Sequence, residues 1–270
     1  MPDSHTSPSE RSAGWLMAAL LGCLAVLVAL GLSMLVASQR MQPRAENLHI
    51  AAIHWPEDIP KLLARGNDIN QQDADGNTPL HLATIFRKPE SVRLLLDAGA
   101  DPSIADTQGE TPLLSATFMS GPAASTQITL MLLKAGADPN VHSIHADQTP
   151  LHRVARKGLA PLTRALLDAG ANPNARQKYD ETPLHVASTA DVARLLIDAG
   201  ADLEACEHNG NTPIHLAVAR HLHDVVKVLL AAGASTEAEN NYGMKPVDQR
   251  QGDERMAALF DSAGTSSPTE

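Results

Sequence analysis

Aromatic side chains are scarce in this chain: of 270 residues only seven are Phe, Tyr or Trp. Each one that lies outside an apolar core is therefore worth placing. Cysteine is scarcer still. Cys23 stands in an apolar run and Cys206 far from it, so the two are not expected to pair; the fold then needs no disulfide and the redox compartment stays open. Basic residues are in deficit, 21 Lys and Arg against 31 Asp and Glu, for a formal net charge of −10. Residues 41–270 hold 19 and 29 of these, so the whole imbalance lies there. Such a surface argues against nucleic acid, which needs basic patches to displace counterions, and favours a basic partner. A glycine-rich phosphate loop, a Gly-x-Ser-x-Gly elbow and a His-Glu-x-x-His helix are all missing, and with them the usual marks of an enzyme.

What the chain does have is repetition. Thr-Pro-Leu-His occurs at Thr78–His81, Thr149–His152 and Thr182–His185, with relatives at Thr111–Leu114 and Thr212–His215. The threonines are 33, 38, 33 and 30 residues apart. About twenty residues after each comes Ala-Gly-Ala, at Ala98, Ala135, Ala169, Ala199 and Ala232. Proline suits the first helical turn, where its missing N–H would be an orphan anyway, and the threonine before it can cap that turn. Apolar runs such as Val92–Leu96 and Val225–Leu230 then have the spacing of a second helix. A period near 33 marks a solenoid, and this pairing of motifs resembles the ankyrin repeat. The resemblance implies an all-α solenoid of helix–turn–helix units with β-hairpin or turn fingers. It also implies a non-catalytic module without cofactor or metal that binds another protein.

Ahead of the repeats, Trp15 to Ala37 is a 23-residue run without a charge, long enough as a helix to cross a bilayer. A cleaved signal peptide would have a shorter apolar stretch, although Val36-Ala37-Ser38 would accept cleavage. A lipoprotein reading at Cys23 fails because the following dozen residues stay apolar. Arg40 and Arg44 just after the run favour a cytoplasmic array, whereas a single N-terminal anchor can also export the domain behind it; both faces stay open. Ala18, Gly22, Ala25 and Ala29 share a helical stripe along which two anchors would pack as a weak homodimer.

The expected organisation is a polar tail at 1–14, an anchor at 15–37, a tether at 38–46 and an array at 47–262. The array divides into an N-terminal cap at 47–72, repeats at 73–105, 106–143, 144–176, 177–206 and 207–239, and a C-terminal cap at 240–262; a tail at 263–270 ends the chain. Caps are needed because an end repeat has no neighbour to cover its apolar face. Four departures from the repeat pattern stand out. Repeat two carries Leu114 in the histidine position and five extra residues near Gly121–Thr126. Repeat three has Arg153 where the family buries leucine. Repeats three and four place Asp147 and Asp180 at the finger glycine position, and repeat four is three residues short.

Of the twelve histidines, His81, His152, His185 and His215 hold the motif position, where the resemblance implies structural hydrogen bonds near the finger. The pairs His142/His145, His221/His223 and Cys206/His208 each supply two ligands where a tight zinc site wants three or four.

The resemblance places partner contacts on the finger tips and the inner, first-helix surface. The tips present Asp75, Asn77, Gln108, Glu110, His145, Gln148, Lys178, Tyr179, Glu181, His208, Asn209, Asn211, Asn241 and Tyr242. The inner helices present Phe86, Phe118, Met119, Arg156, Lys157 and Arg220. Trp15 lies in the anchor run, and Trp55 and Phe260 in the caps. The four remaining aromatics, Phe86, Phe118, Tyr179 and Tyr242, all fall on expected contact positions. The leading expectation is a protein-binding module tethered at a membrane. An inhibitor of the immunity type covering a toxic enzyme, and a membrane-proximal spacer, are the alternatives.

Overall fold

The structure, a computed structural model, describes residues 45–118, 122–144 and 146–264. The expected tail at 1–14, the anchor at 15–37, most of the tether, Met119, His145 and the end of the C-terminal tail lie outside them. Among the described residues no helix is long and apolar enough to cross a membrane.

Helices alternate in two rows. The first row consists of α1 (Leu48–His54), α3 (Pro79–Ile85), α5 (Pro112–Phe118), α7 (Pro150–Lys157), α9 (Pro183–Val186) and α11 (Pro213–Ala219). The second consists of α2 (Ile59–Ala64), α4 (Pro89–Asp97), α6 (Pro122–Lys134), α8 (Ala160–Asp168), α10 (Ala190–Asp198) and α12 (His223–Ala231). A 3-10 turn at Pro246–Arg250 and α13 (Glu254–Gly264) close the array. Each helix packs against its successor in the same row and its partner in the same repeat, so one core runs the length of the stack.

Local chemistry explains the rows. Proline opens α3, α5, α7, α9 and α11 at the position where no N–H is needed. The leucine or isoleucine beside it, at 80, 113, 151, 184 and 214, is buried throughout. Second helices bury residues three or four apart, such as Val92 with Leu95 and Val192 with Leu196, and expose charged ones such as Arg93 and Arg194. Burying one such leucine contributes roughly 2 kcal/mol.

The fingers take the second of the two forms the resemblance implies. No strand occurs among the described residues; the fingers are turns. In the first, the backbone bonds across the turn are Asp73 N to Asn77 O at 2.9 Å and Gly76 N to Asp73 O at 3.0 Å. The Asp73 carboxylate accepts the Asp75 and Asn77 amides, which tightens the turn before a ladder can grow. Fingers then join edge to edge through single amides: Thr107 N to Asp75 O, Lys178 N to Ala146 O, His208 N to Tyr179 O and Asn241 N to Asn209 O. Gly76 shows how tight this stacking is, since a Cβ there would sit 2.6 Å from the Thr107 amide nitrogen.

The irregular repeats resolve individually. In repeat two the second helix is 13 residues long, against nine in α4, α8, α10 and α12. Repeat four loses the end of its first helix: α9 has four residues and stops at Ala187, which is extended at φ −57° and ψ 127°. Asp147 and Asp180 take the left-handed conformation their position demands, at φ 53° and 63°. Tyr179 joins them at φ 75°, a costly place for a bulky side chain.

Candidate functional site

The motif histidines are structural, and their bonding fixes their tautomer. His81 Nε2 lies 3.0 Å from the Glu110 carbonyl, which can only accept, so Nε2 carries the proton. Nδ1 is then the acceptor, taking the Thr78 amide at 3.1 Å and the Thr78 hydroxyl at 2.9 Å. His152 repeats this bond to Glu181 O, His185 to Asn211 O and His215 to Met244 O, so each imidazole ties its repeat to the next. Burial pushes all four below the ordinary histidine value, His152 to about 4. The N-terminal cap contributes a fifth tie that the sequence motif alone did not single out: His49 Nε2 to Asn77 O at 3.0 Å. With Glu46-Asn47 standing for Thr-Pro, Leu48-His49 completes the motif, so the signal was present.

Leu114 breaks this ladder, and the next repeat repairs it. Arg153, which the family pattern makes apolar, is buried and reaches back. Its Nη1 donates to Glu110 Oε2 at 2.6 Å and Leu114 O at 2.8 Å, and its Nη2 to Glu110 Oε1 at 2.6 Å. This is a fork-on-fork pair. Glu110, an expected tip residue, is therefore engaged inside the array.

Around that pair the structure gathers part of the expected contact surface. The Phe118 ring is 68% exposed and lies 5.5 Å from both the Arg153 guanidinium and the Lys157 ammonium. Lys157 also donates to the Thr117 and Phe118 carbonyls, which ties repeat three to repeat two. Burial and the nearby Arg153 hold Lys157 below the usual lysine value. Arg156 and Arg220 both approach one carboxylate, Glu181, at 3.6 and 3.7 Å. They meet because α9 is short. With its last turn gone, Arg220 of repeat five donates to the His185 carbonyl of repeat four at 2.9 Å and extends toward repeat three.

A second group forms at the fingers. Tyr179 is 61% exposed, packs against the His208 ring at 5.9 Å and has the Lys178 ammonium over its face at 5.5 Å. Tyr242 donates to Asn209 Oδ1 at 3.2 Å, while Asn241 Nδ2 donates to the His208 carbonyl. Asp75 and Gln108 are exposed, and Gln148 is half-buried. Phe86 is half exposed at the end of α3. Asn211 has to be moved: it is buried, because its amide donates to Glu207 Oε1 at 2.7 Å and accepts from Asn240 and Gln249. Asn77 is half-buried, its amide turned toward the Asp73 carboxylate. The aromatics of the caps, Trp55 and Phe260, pack on the core.

Among the described residues no group of three or more His, Cys, Asp or Glu is placed to hold a metal. His221 and His223 both engage Asp253, at 3.0 and 2.8 Å, and His142 pairs with Asp147. Open grooves also lie between second helices, such as the one lined by Ala190, Arg194, Lys227 and Val228 on α10 and α12.

Comparison with known proteins agrees with this architecture. A family model described as ankyrin repeats, in three copies, matches residues 48–143, 123–207 and 151–241, and the chain belongs to the ankyrin-repeat family. It is 47% identical over 60 residues to human neurogenic locus notch homolog protein 4, and 39% identical over 61 residues to the Arabidopsis thaliana E3 ubiquitin-protein ligase KEG. Those stretches cover 22% and 23% of this chain and only 3% and 4% of the relatives. Among solved structures it resembles the ankyrin repeat domain of Bcl-3, of the IkappaB protein family, with a TM-score of 0.68 and 25% identity over 82% of this chain and all of that one. The human ASB11 ankyrin repeat domain gives 0.67 and 25% over 84% of this chain and all of that one. Ankyrin-repeat domains are in general protein-interaction modules.

Proposed function

We propose that this chain is a non-catalytic array that binds a partner protein along the first-helix row and the adjoining fingers, held at a membrane by residues 15–37. One observation carries the binding surface. In a chain with seven aromatics, Phe86, Phe118, Tyr179 and Tyr242 are each more than half exposed; the first two end first helices and the last two stand in fingers. Exposed aromatic rings are costly to leave in water and dominate binding energy at interfaces, at about 2 kcal/mol or more each.

The test is the double variant Phe86→Ser/Phe118→Ser in the full chain, with capture by cross-linking from membranes. Both rings are exposed, so stability should shift by less than about 1 kcal/mol. A partner retained by the native chain should be lost from the variant, a drop of roughly thirty-fold for each such anchor and several hundred-fold for the two together. Equal capture by both chains contradicts the assignment.

The membrane part rests on the 23-residue uncharged run and its short distance from the array. Tethering would raise the partner's effective concentration without new contacts. Deleting residues 15–37 should move the chain from the alkali-resistant membrane fraction to the soluble one; a deletion variant that stays with membranes sinks the anchor. The inhibitor reading depended on an acidic inner surface for a basic target, and the first-helix row does not supply one.

A further inference from the structure

The chain is acidic overall, yet its first-helix row is not. From Pro79 onward the five first helices and the residues that end them contain no Asp or Glu. They carry Arg87, Lys88, Arg153, Arg156, Lys157 and Arg220 instead. Within residues 79–231 the acidic residues lie in the fingers, the second helices and the loops between repeats.

Two of the departures from the repeat pattern converge on this row. Leu114 leaves the space that Arg153 enters, and the shortened α9 lets Arg220 come within reach of the carboxylate that Arg156 also faces. Glu181 therefore sits between two guanidinium groups, neither at hydrogen-bond distance. Each guanidinium has five N–H donors in a fixed fork, and both groups stay open to solvent, Arg156 49% and Arg220 37% exposed. Burial, and then the neighbouring Arg156, hold Arg220 below the ordinary arginine value, with Glu181 opposing. One carboxylate under two guanidiniums leaves positive charge in excess, and a second carboxylate from outside would balance it. The exposed Phe118 ring lies beside the same row, flanked by Arg153 and Lys157.

We infer that the partner presents an acidic segment to this row, with carboxylates meeting Arg156 and Arg220 and an apolar side chain meeting Phe118. The inference rests on the protein-binding reading above and gives the partner the opposite charge to that suggested by the net charge of the chain. A protein segment fits better than a nucleic acid, because the acidic fingers beside the row would repel a continuous polyanion.

A phage-displayed library of random peptides about 12 residues long, selected on the full chain, tests this. The library should yield peptides rich in Asp and Glu with at least one large apolar residue. Their affinity should fall about ten-fold or more in Arg156→Gln/Arg220→Gln and weaken several-fold between about 50 and 300 mM salt, on the order expected for a screened contact. Arg156→Glu alone is the second variant, because Arg156 is half exposed and its ion pair with Glu181 is long, so losing it leaves the array folded; it should lower affinity at least as far. Neutral or basic peptides, or acidic ones that bind all variants equally, overturn the charge assignment and leave the protein-binding reading standing. A chain that selects no peptide, or one that binds a single-stranded DNA oligonucleotide as tightly as the selected peptides, overturns the inference; only the first of these two also counts against the protein-binding reading.

Discussion

Replacing Glu110 with alanine should destabilise the array by about 3 kcal/mol, more than any exposed substitution in the first-helix row. Arg153 is buried, and Glu110 takes both of its terminal nitrogens. Removing the carboxylate leaves a cation inside with only the Leu114 carbonyl, and an unpaired buried charge costs far more than the net value of the pair. Arg153→Met should cost less, since it restores the apolar residue of the repeat pattern and leaves Glu110 able to turn to water. Adding Glu110→Gln to Arg153→Met should bring stability near that of the native chain, because the desolvated charge is then gone. Urea unfolding of these proteins, with the single variant Glu110→Gln added to complete the double-mutant cycle, measures the coupling. A Glu110→Ala variant as stable as the native chain would show that the pair does not replace the missing histidine tie.

Acid should weaken the array well before its carboxylates titrate. Four buried histidines are held below their ordinary value, His152 from 6.5 to about 4. A proton added at Nδ1 would point at the threonine amide that Nδ1 now accepts, as at Thr149 and His152. Between the two values the unfolded chain binds the proton and the folded one does not, so folding stability falls as pH drops. The contribution is complete above pH 6.5, and below about pH 4 that of His152 is fully lost. For His152 alone the loss is about 2 kcal/mol by about pH 5 and about 3 kcal/mol in full. The other three act in the same direction. Against a typical total of roughly 5–15 kcal/mol, the urea midpoint should drop steeply from about pH 7.5 to about pH 5, with the slope unchanged. A midpoint that holds constant over that range would contradict neutral, buried imidazoles.

The fold was legible because the caps repeat. Thr-Pro at 78, 149, 182 and 212 starts a helix each time, and the buried leucine or isoleucine stands two residues after the threonine. The shortened repeat four was visible as missing residues, though only the structure shows that α9 loses them. The role of Arg153 was not legible, because its partner lies 43 residues earlier and nothing local marks the pair. Asn211 was misplaced because a position count cannot tell an exposed tip from a tip whose amide is claimed by Glu207 below it. The charge of the inner row escaped for another reason. Charges summed over the chain gave −10, whereas the same residues counted helix by helix show first helices from Pro79 onward without a single acid. Of the two finger forms the resemblance implies, turns occur, because side chains such as the Asp73 carboxylate take up the turn amides within a few residues.

The most direct test of the central claim, that the first-helix row is the working surface, is site-specific photo-crosslinking in the full chain. A benzophenone amino acid is placed at Phe118 in one protein and at Leu130, 48% exposed on the second helix of the same repeat, in another. The account predicts a discrete partner adduct from position 118 and none from 130. Adducts from 130 alone, or equally from both, would contradict it.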